Sequence, residues 1–342
     1  MLRWFEENGK NSDVVISGRV RLARNINGFH FSLKLTNEDA EIMDAEILTK
    51  LKGLKAFEQY HIFQFKDLDD CQKTAMKERH VISDFLLKRD TAAGLVSEDE
   101  NISIMLNEED HIRIQAFVSG MDIDKAYELA NDIDDTIGGV LDYCYDEKYG
   151  YLTTCPSNVG TGMRASYMLH LPALTGSGRI AGLAAEVGRF GLVLKSLGID
   201  QNNYGDIYQI TNQYTLGKSE KEILDNLTNI TEQIVEQERT LRKQYISRKR
   251  LSAQDTVYRA YGVLRYARKV SLGDGMLLLS QFRLGLSEKL VKPSSDIDVS
   301  IYQLMIGIQP ANLQMMSANE MTEEEIDIAR SQFIRDNIPL IQ

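Results

Sequence analysis

The chain has 342 residues, 43% apolar and 26% charged, with a formal net charge of −11. This length and composition fit a globular protein with one large and one small domain, and the acidic balance opposes nonspecific binding to nucleic acid. No apolar run approaches the roughly 18 residues needed to span a bilayer, "MLRWFEENGKNSDVV" lacks the apolar stretch of a secretory signal, and three cysteines without metal or redox spacing fit a reducing cytoplasm.

In chain order, "VVISGRVRL" (14–22) reads as a strand. Alternation puts Val20 and Leu22 on one side and Arg19 and Arg21 on the other, with Arg24 just past them. Residues 38–52 carry helical spacing in Ile42, Met43, Ala45, Ile47, Leu48 and Leu51. Strands over 102–106 and 111–117 flank the polar "NEED". A helix over 122–142 follows, then a strand in "YGYLTTCP" that leads into the loop "TCPSNVGTGMRAS". Next come a glycine-punctuated helix near 179–190, a strand over 190–197 and another in "DIYQITNQY". Ser219 and Glu222 then form the capping box of a long amphipathic helix striped by Ile223, Leu227, Ile230, Ile234 and Leu241. A boundary is expected near Ser252, dividing 1–252 from a helix-rich 253–342. The stripes of Val257, Tyr261 and Leu264, and of Leu304, Ile308 and Leu313, predict a dimerisation module there.

Positive charge gathers in "RVRLARN" and in "RTLRKQYISRKR", which on an acidic chain points to a small anionic ligand such as a nucleotide. "TLGKSE" offers Gly217, Lys218 and Ser219, but a Walker A loop needs glycine where Asn212 stands, so the segment reads as a helix start. Zinc-type His/Cys clustering and a G-x-S-x-G elbow are both missing. In "EEDHIRI", Glu109, His111 and Arg113 share a strand face opposite Ile112 and Ile114, and Arg164 ends the glycine loop. Any one of these arginines is compatible with a solvated strand face, "NEED" with an inert acidic turn, and Cys155 with a small buried residue. Several arginine faces beside a glycine-rich turn, however, are able to hold a triphosphate with its Mg²⁺, because guanidiniums fork onto phosphate oxygens and stay charged.

These segments carry a resemblance. "TCPSNVGTGMRAS" is similar to the Cys-Pro-Ser/Thr-Asn-aliphatic-Gly-Thr-Gly-x-Arg pattern of the phosphagen (ATP:guanido) kinase family. "LNEEDHIRI" resembles that family's Asn-Glu-Glu-Asp-His-x-Arg segment, and "SGRVRLARN" its Ser-Ser-Arg-x-Arg nucleotide strand, with Gly18 for the second serine. The resemblance implies an α+β fold: a glutamine-synthetase-like antiparallel sheet flanked by helices, followed here by a small helical domain. It implies ATP and Mg²⁺ as cofactors. Glu109 would be the base, with Glu108 beside it, Cys155 against the substrate guanidinium and Asp200 as a second substrate-facing carboxylate. On the nucleotide side it implies Ser17, Gly18, Arg19, Val20, Arg21, His80, Arg113, Arg164, Ala165, Ser166, Tyr167, Met168 and Lys195, with no side-chain metal ligand.

Kinases of creatine or free arginine carry a helical domain of about a hundred residues, a usual small-domain size, before the first arginine strand. Here that strand begins almost at once and an extra region follows residue 253, an arrangement that resembles the bacterial protein-arginine kinase branch. "YQITNQYTLGKSE", "VYRAYGVLRYARKVS" and "FRLGL" resemble that branch too. The branch implies phosphorylation of arginine side chains in proteins during stress, marking them for Clp-type degradation in the cytoplasm. Implied partners are proteins with exposed arginines, a zinc-binding activator protein, a heat-shock transcriptional repressor, a Clp ATPase and a second copy of the chain, with no membrane and no direct nucleic acid.

Two departures stand out. The branch's Arg-Gly-x-x-Gly-Glu stretch reads "KSLGID", with Lys195 in the arginine's place and Asp200 in the glutamate's. Its phosphoarginine-reading Arg-Asp-x-x-Arg-Ala element reads "IDIARS", with Ile326 in the first arginine's place. A kinase of a free guanidino compound and a catalytically weakened arginine- or phosphoarginine-binding adaptor therefore stay open.

Overall fold

Strict alternation along β1 (Val15–Arg24) sends Val20 and Leu22 into the core and leaves Arg19 and Arg21 on the opposite face. The structure, a computed structural model, describes residues 2–32, 34–89, 91–197, 203–294 and 300–342. Helix α1 (Asn37–Lys52) starts at the Thr36 cap, and the short strand β2 (His61–Gln64) is followed by α2 (Asp70–Glu78), opened by an Asp69–Gln72 capping box. Strands β3 (Ala93–Val96), β4 (Ile102–Leu106) and β5 (Ile112–Ser119) precede α3 (Ile123–Gly138). A two-residue ladder of β6 (Tyr145–Asp146) and β7 (Gly150–Tyr151) leads to β8 (Met163–His170). Then come α4 (Pro172–Gly176), α5 (Ile180–Gly188), β9 (Leu192–Ser196) and β10 (Ile207–Asn212).

The main sheet has eight strands in the order β2-β3-β4-β5-β1-β8-β10-β9, every neighbouring pair antiparallel. Apolar residues of α1, α3, α5 and the long helix α6 (Glu220–Tyr266) cover its inner face. Helices α7 (Leu272–Ser287), α8 (Ile301–Gly307), α9 (Pro310–Gln314) and α10 (Glu323–Asn337) form a second cluster. That cluster takes in Trp4, Phe117 and Met168, so the C-terminal helices close one end of the outer, arginine-bearing face. No described helix is long and apolar enough to cross a membrane.

Several sequence expectations are corrected. "YGYLTTCP" is a strand only at Gly150–Tyr151, after which the chain loops into a 3₁₀ turn at Pro156–Asn158. In α1, Ile42 faces solvent and Asp44 takes an inward position. The stripes expected to mediate dimerisation are filled from within the chain: Val257, Leu264, Leu304, Ile308 and Leu313 are all buried. Helix α6 runs to Tyr266 as two helical stretches joined at a kink, with non-helical dihedrals at Lys249 (φ −137°, ψ 42°), close to the boundary expected near Ser252.

The basic run "RTLRKQYISRKR" is divided: Lys243, Arg248, Lys249 and Arg250 are exposed, whereas Arg239 and Arg242 are paired within the chain. Arg239 pairs with Asp13 at 2.7 Å. Arg242 donates to Glu238 at 2.7 Å and to the His170 carbonyl at 3.0 Å. Glu238 in turn accepts from the N–H groups of Ala173 and Leu174, which ties α6 to the start of α4. In "IDIARS", Arg330 is buried, donates to the carbonyls of Ile308 and Val270, and pairs with Asp327.

The Glu238–Arg242 pair is wholly enclosed, so removing one partner strands the other's charge, at a cost of about 3–5 kcal/mol. Arg242→Met is therefore expected to lower the urea midpoint strongly. A midpoint equal to wild type would show that the pair does not hold α6 in place.

Candidate active site

The strand register assembles the arginines. Arg21 stands opposite Gln115 on β5 and Arg164 on β8, and Arg19 stands opposite Phe117 and Ser166. Arg113 lies one row further on, beside Ala23 and Met105. The Nε atoms of Arg19, Arg21 and Arg113 and the hydroxyl of Ser17 are buried without a hydrogen-bond partner among the described residues. Burial, with the repulsion of Arg113, holds Arg19 down at about 10. Burial and the charges of Arg19 and Arg113 push Arg21 well below the usual arginine value. Packed guanidiniums of this kind require an anion.

The same alternation separates the residues expected on the nucleotide side. Ser17, Arg19, Arg21, Arg164, Ser166 and Met168 share the outer face, whereas Val20, Ala165 and Tyr167 are core residues. A Cβ at Gly18 would meet Ile123, Val118 and Tyr167, so Gly18 also faces inward. Lys195 pairs with Gln209, which pairs with Met168, so it lies on the outer face but at the exposed edge strand. Asp200 lies outside the described residues.

The two glutamates of the turn before β5 differ sharply. Glu108, 1% exposed, accepts from Ser83 Oγ and Arg113 Nη1, both at 2.6 Å, and from the Glu109 N–H. Burial alone would raise its carboxyl, but the Arg113 charge and these hydrogen bonds outweigh it and hold Glu108 below the usual glutamate range. The half-buried Glu109 has no hydrogen bond or ion pair to its carboxylate among the described residues. Burial lifts it above the ordinary value, the charges of Asp110 and Glu108 add to the rise, and Arg113 and Arg164 oppose it. Adjacent carboxyls driven apart in this way acquire separate roles, one fixed and ionised, the other free to exchange a proton.

Asp110 joins this turn to the glycine loop. Its Oδ1 accepts from the Thr154 N–H at 2.6 Å and from Asn25 Nδ2 at 2.8 Å. Cys155 follows directly, its Sγ 3.1 Å from Ser157 Oγ. At the loop's far end Arg164 donates to Asn158 Oδ1 at 2.8 Å, to Ser157 Oγ at 2.7 Å and to the Asn212 carbonyl, and its charge is felt at Glu109. Gly162 (φ 65°) lets the loop press on β1, since a Cβ there would lie 2.6 Å from the Ala23 carbonyl.

His111 braces the segment after β1: its ring takes the Ile26 N–H at 3.1 Å and meets the His30 carbonyl at 2.9 Å. His80 has a left-handed backbone (φ 63°), and its ring lies near Trp4 and Phe117 and 3.1 Å from the Tyr302 hydroxyl. Burial and the charge of Arg19 push His80 down to about 3, leaving a neutral imidazole. Trp4 stacks on Phe117 with centroids 4.5 Å apart, and the Arg19 guanidinium lies 5.3 Å from the same ring.

The sequence reading passed over Asp110, Asn25, Asn158, Ser157, Ser83 and Asn212. Most of them stand inside or beside the quoted motifs, but a bond between two loops leaves no periodic signal. Because Glu108→Gln removes a like charge and releases Arg113, it is expected to move the titration of Glu109 to lower pH, followed by carboxyl carbon NMR. An upward move would overturn this electrostatic account.

Comparison with known proteins agrees with the geometry. Residues 42–241 match the ATP:guanido phosphotransferase C-terminal catalytic domain, and residues 232–342 match the protein-arginine kinase C-terminal domain. The chain is 40% identical to the protein-arginine kinase of Halalkalibacterium halodurans, covering 98% of this chain and 95% of that one. It is 39% identical to that of Caldanaerobacter subterraneus subsp. tengcongensis, covering 95% and 96%. In fold it is similar to the duplicated taurocyamine kinase of Schistosoma mansoni with bound transition-state analog components, with a TM-score of 0.61 and 24% identity over 70% of this chain and 35% of that one. It is also similar to a lombricine kinase, with a TM-score of 0.59 and 22% identity over 70% and 69%. Two domain matches that together reach from residue 42 to the last residue, and near-full-length relatives at about 40% identity, lead to one conclusion: the chain belongs to the ATP:guanido phosphotransferase family, on its protein-arginine kinase branch.

Proposed function

We propose that the protein transfers the γ-phosphoryl group of ATP to arginine side chains of other proteins. The observation that carries this reading is the Glu109 carboxyl, raised above its ordinary value and unbonded among the described residues, in a site whose Arg19, Arg21 and Arg113 carry buried Nε groups with no partner among those residues. An arginine side chain is a poor nucleophile because its nitrogen lone pairs are delocalised and its pKa exceeds about 12. Glu109 receives the guanidinium by charge-assisted hydrogen bonding, aligns one nitrogen and accepts its proton. Glu108 keeps Arg113 and the turn in place, and Cys155 stands at the guanidine side of the loop. Arg19, Arg21 and Arg164 hold the phosphates, and His80 with its aromatic neighbours lies on the nucleotide side. ATP fits this set, since the orphaned Nε groups of Arg19 and Arg21 match phosphate oxygens. Among the described residues no cluster of His, Cys, Asp and Glu is built for a metal, and Mg²⁺ would enter on the phosphates.

The same resemblance supports further proposals: a cytoplasmic role in stress, phosphoarginine as a mark for a Clp ATPase, and encounters with a zinc-binding activator and a heat-shock repressor. A homodimer is proposed to use the exposed Leu251, Tyr258 and Tyr266 of α6, since the other stripes are buried.

Incubation with Mg²⁺-ATP and either casein or free arginine separates the readings. Phosphoarginine is expected on casein. Transfer to free arginine alone would favour a metabolite kinase, and binding without transfer an adaptor. Glu109→Gln is expected to abolish transfer while ATP binding persists, because no phosphate contact is lost; near-normal activity would reject Glu109 as the base. Lys195, on the edge strand, offers the phosphoryl group a single point of charge. Lys195→Arg is expected to raise turnover, towards the roughly hundredfold value of a preorganised donor, more than it tightens ATP binding. A turnover unchanged in both Lys195→Arg and Lys195→Ala would remove Lys195 from the site.

A further inference from the structure

Helix α1 buries one residue that the mechanism does not use. Asp44 sits among Met43, Ile47 and Leu48, is 7% exposed, and has no hydrogen bond or ion pair among the described residues. Its Oδ1 is wholly enclosed and unpartnered. It lines a cavity of about 560 Å³ between α1 and the β2–β3 edge, together with Glu41, Lys52, Gln64, Lys66 and Thr91. That volume falls within the range of roughly 300–1,000 Å³ typical of small-ligand sites.

An enclosed carboxylate needs a proton or a counter-charge. Burial, and then the charge of Glu41, push Asp44 up to about 7. The cations facing the cavity, Lys52 from α1 and Lys66 from the turn after β2, form no salt bridge with it. A metal ion fits poorly, because no group of three or more His, Cys, Asp or Glu suited to one occurs among the described residues. A guanidinium fits well. It is planar and weakly hydrated and pairs with carboxylates through two N–H bonds, while its apolar stem suits a wall such as Leu48 and Ala93. The two lysines then suit an anionic group at the ligand's other end.

The cavity also reaches the catalytic turn. Thr91 accepts from Asn107 Nδ2 through its carbonyl at 2.6 Å and its hydroxyl at 3.0 Å. Asn107, with a left-handed backbone (φ 57°), opens the turn that carries Glu108 and Glu109.

We propose that this cavity is a second, non-catalytic site for an arginine-like zwitterion, with the guanidinium on Asp44 and Glu41 and the anionic end toward Lys52 and Lys66. Occupancy is transmitted to Glu109 through Thr91 and Asn107. The site does not depend on the kinase reading.

The test is calorimetric titration of free L-arginine into the full chain, with Cys155 alkylated to obstruct the catalytic guanidine side. Saturable binding is expected, weakened at least tenfold in Asp44→Asn and several-fold in Glu41→Gln. Citrulline, which lacks the charge, is expected not to bind, and agmatine, which lacks the carboxylate, to bind more weakly than arginine yet still through Asp44. Asp44→Asn is also expected to melt higher than wild type at pH 8. The carboxyl's folded value is raised, so its ionisation opposes folding progressively as pH rises from the unfolded value, and fully above about 7. Lost binding in a better-folded variant would therefore report a ligand contact. Equal affinity in wild type and Asp44→Asn, or no saturable binding with or without alkylation, would overturn the proposal. Arginine binding that alkylation leaves intact and Asp44→Asn removes would support the cavity even if the kinase reading failed.

Discussion

The ion pair between Glu108 and Arg113 is the constraint on which the site depends. It fixes one of two adjacent carboxylates as an anion, while the next, Glu109, has no partner among the described residues and is raised above its ordinary value. The pair also fixes the turn itself, because Glu108 holds the Glu109 N–H and Ser83 while its carbonyl takes Arg89. A single immobilised acid thus sets geometry and proton affinity together.

Around this turn the sheet acts as a rigid rack. Antiparallel register places Arg19, Arg21 and Arg164 in neighbouring positions across β1 and β8, and the backbone ladder prevents them from separating to relieve their repulsion. Arg19 and Arg21 remain charged and incompletely satisfied, which makes the face selective for a polyanion. Asp110 completes the frame by bonding the Thr154 N–H, so the Glu109 turn and the Cys155 loop belong to one braced unit although they stand 46 positions apart.

The C-terminal helices are part of this assembly. Glu78 accepts from the N–H groups of Ala311 and Asn312 at the start of α9, and Tyr302 reaches the ring of His80. Arg79 bonds Asn312 on the same contact. Through α2, His80 is thereby positioned by residues more than 200 places away in the chain.

The strand face of Arg19 and Arg21, the capping box at Ser219 and the three catalytic motifs were legible in the amino-acid sequence, because period-two alternation, capping and fixed spacing are local. Strand β8 alternates just as clearly, but adjacent apolar residues such as Tyr167 and Met168 hide which face is inner, and only pairing with β1 decides it. The stripes of α6 and α8 were visible as apolar, yet an apolar stripe is the same whether its partner is a second chain or a neighbouring helix of its own. Likewise the basic run at Arg239 and Arg242 could not announce Asp13 and Glu238 as its partners. Sequence alone determined which residue types stand in which order, and with them the chemistry. Tertiary structure decided which of two neighbouring glutamates is free, since proton affinity depends on burial and on charges brought close from distant parts of the chain.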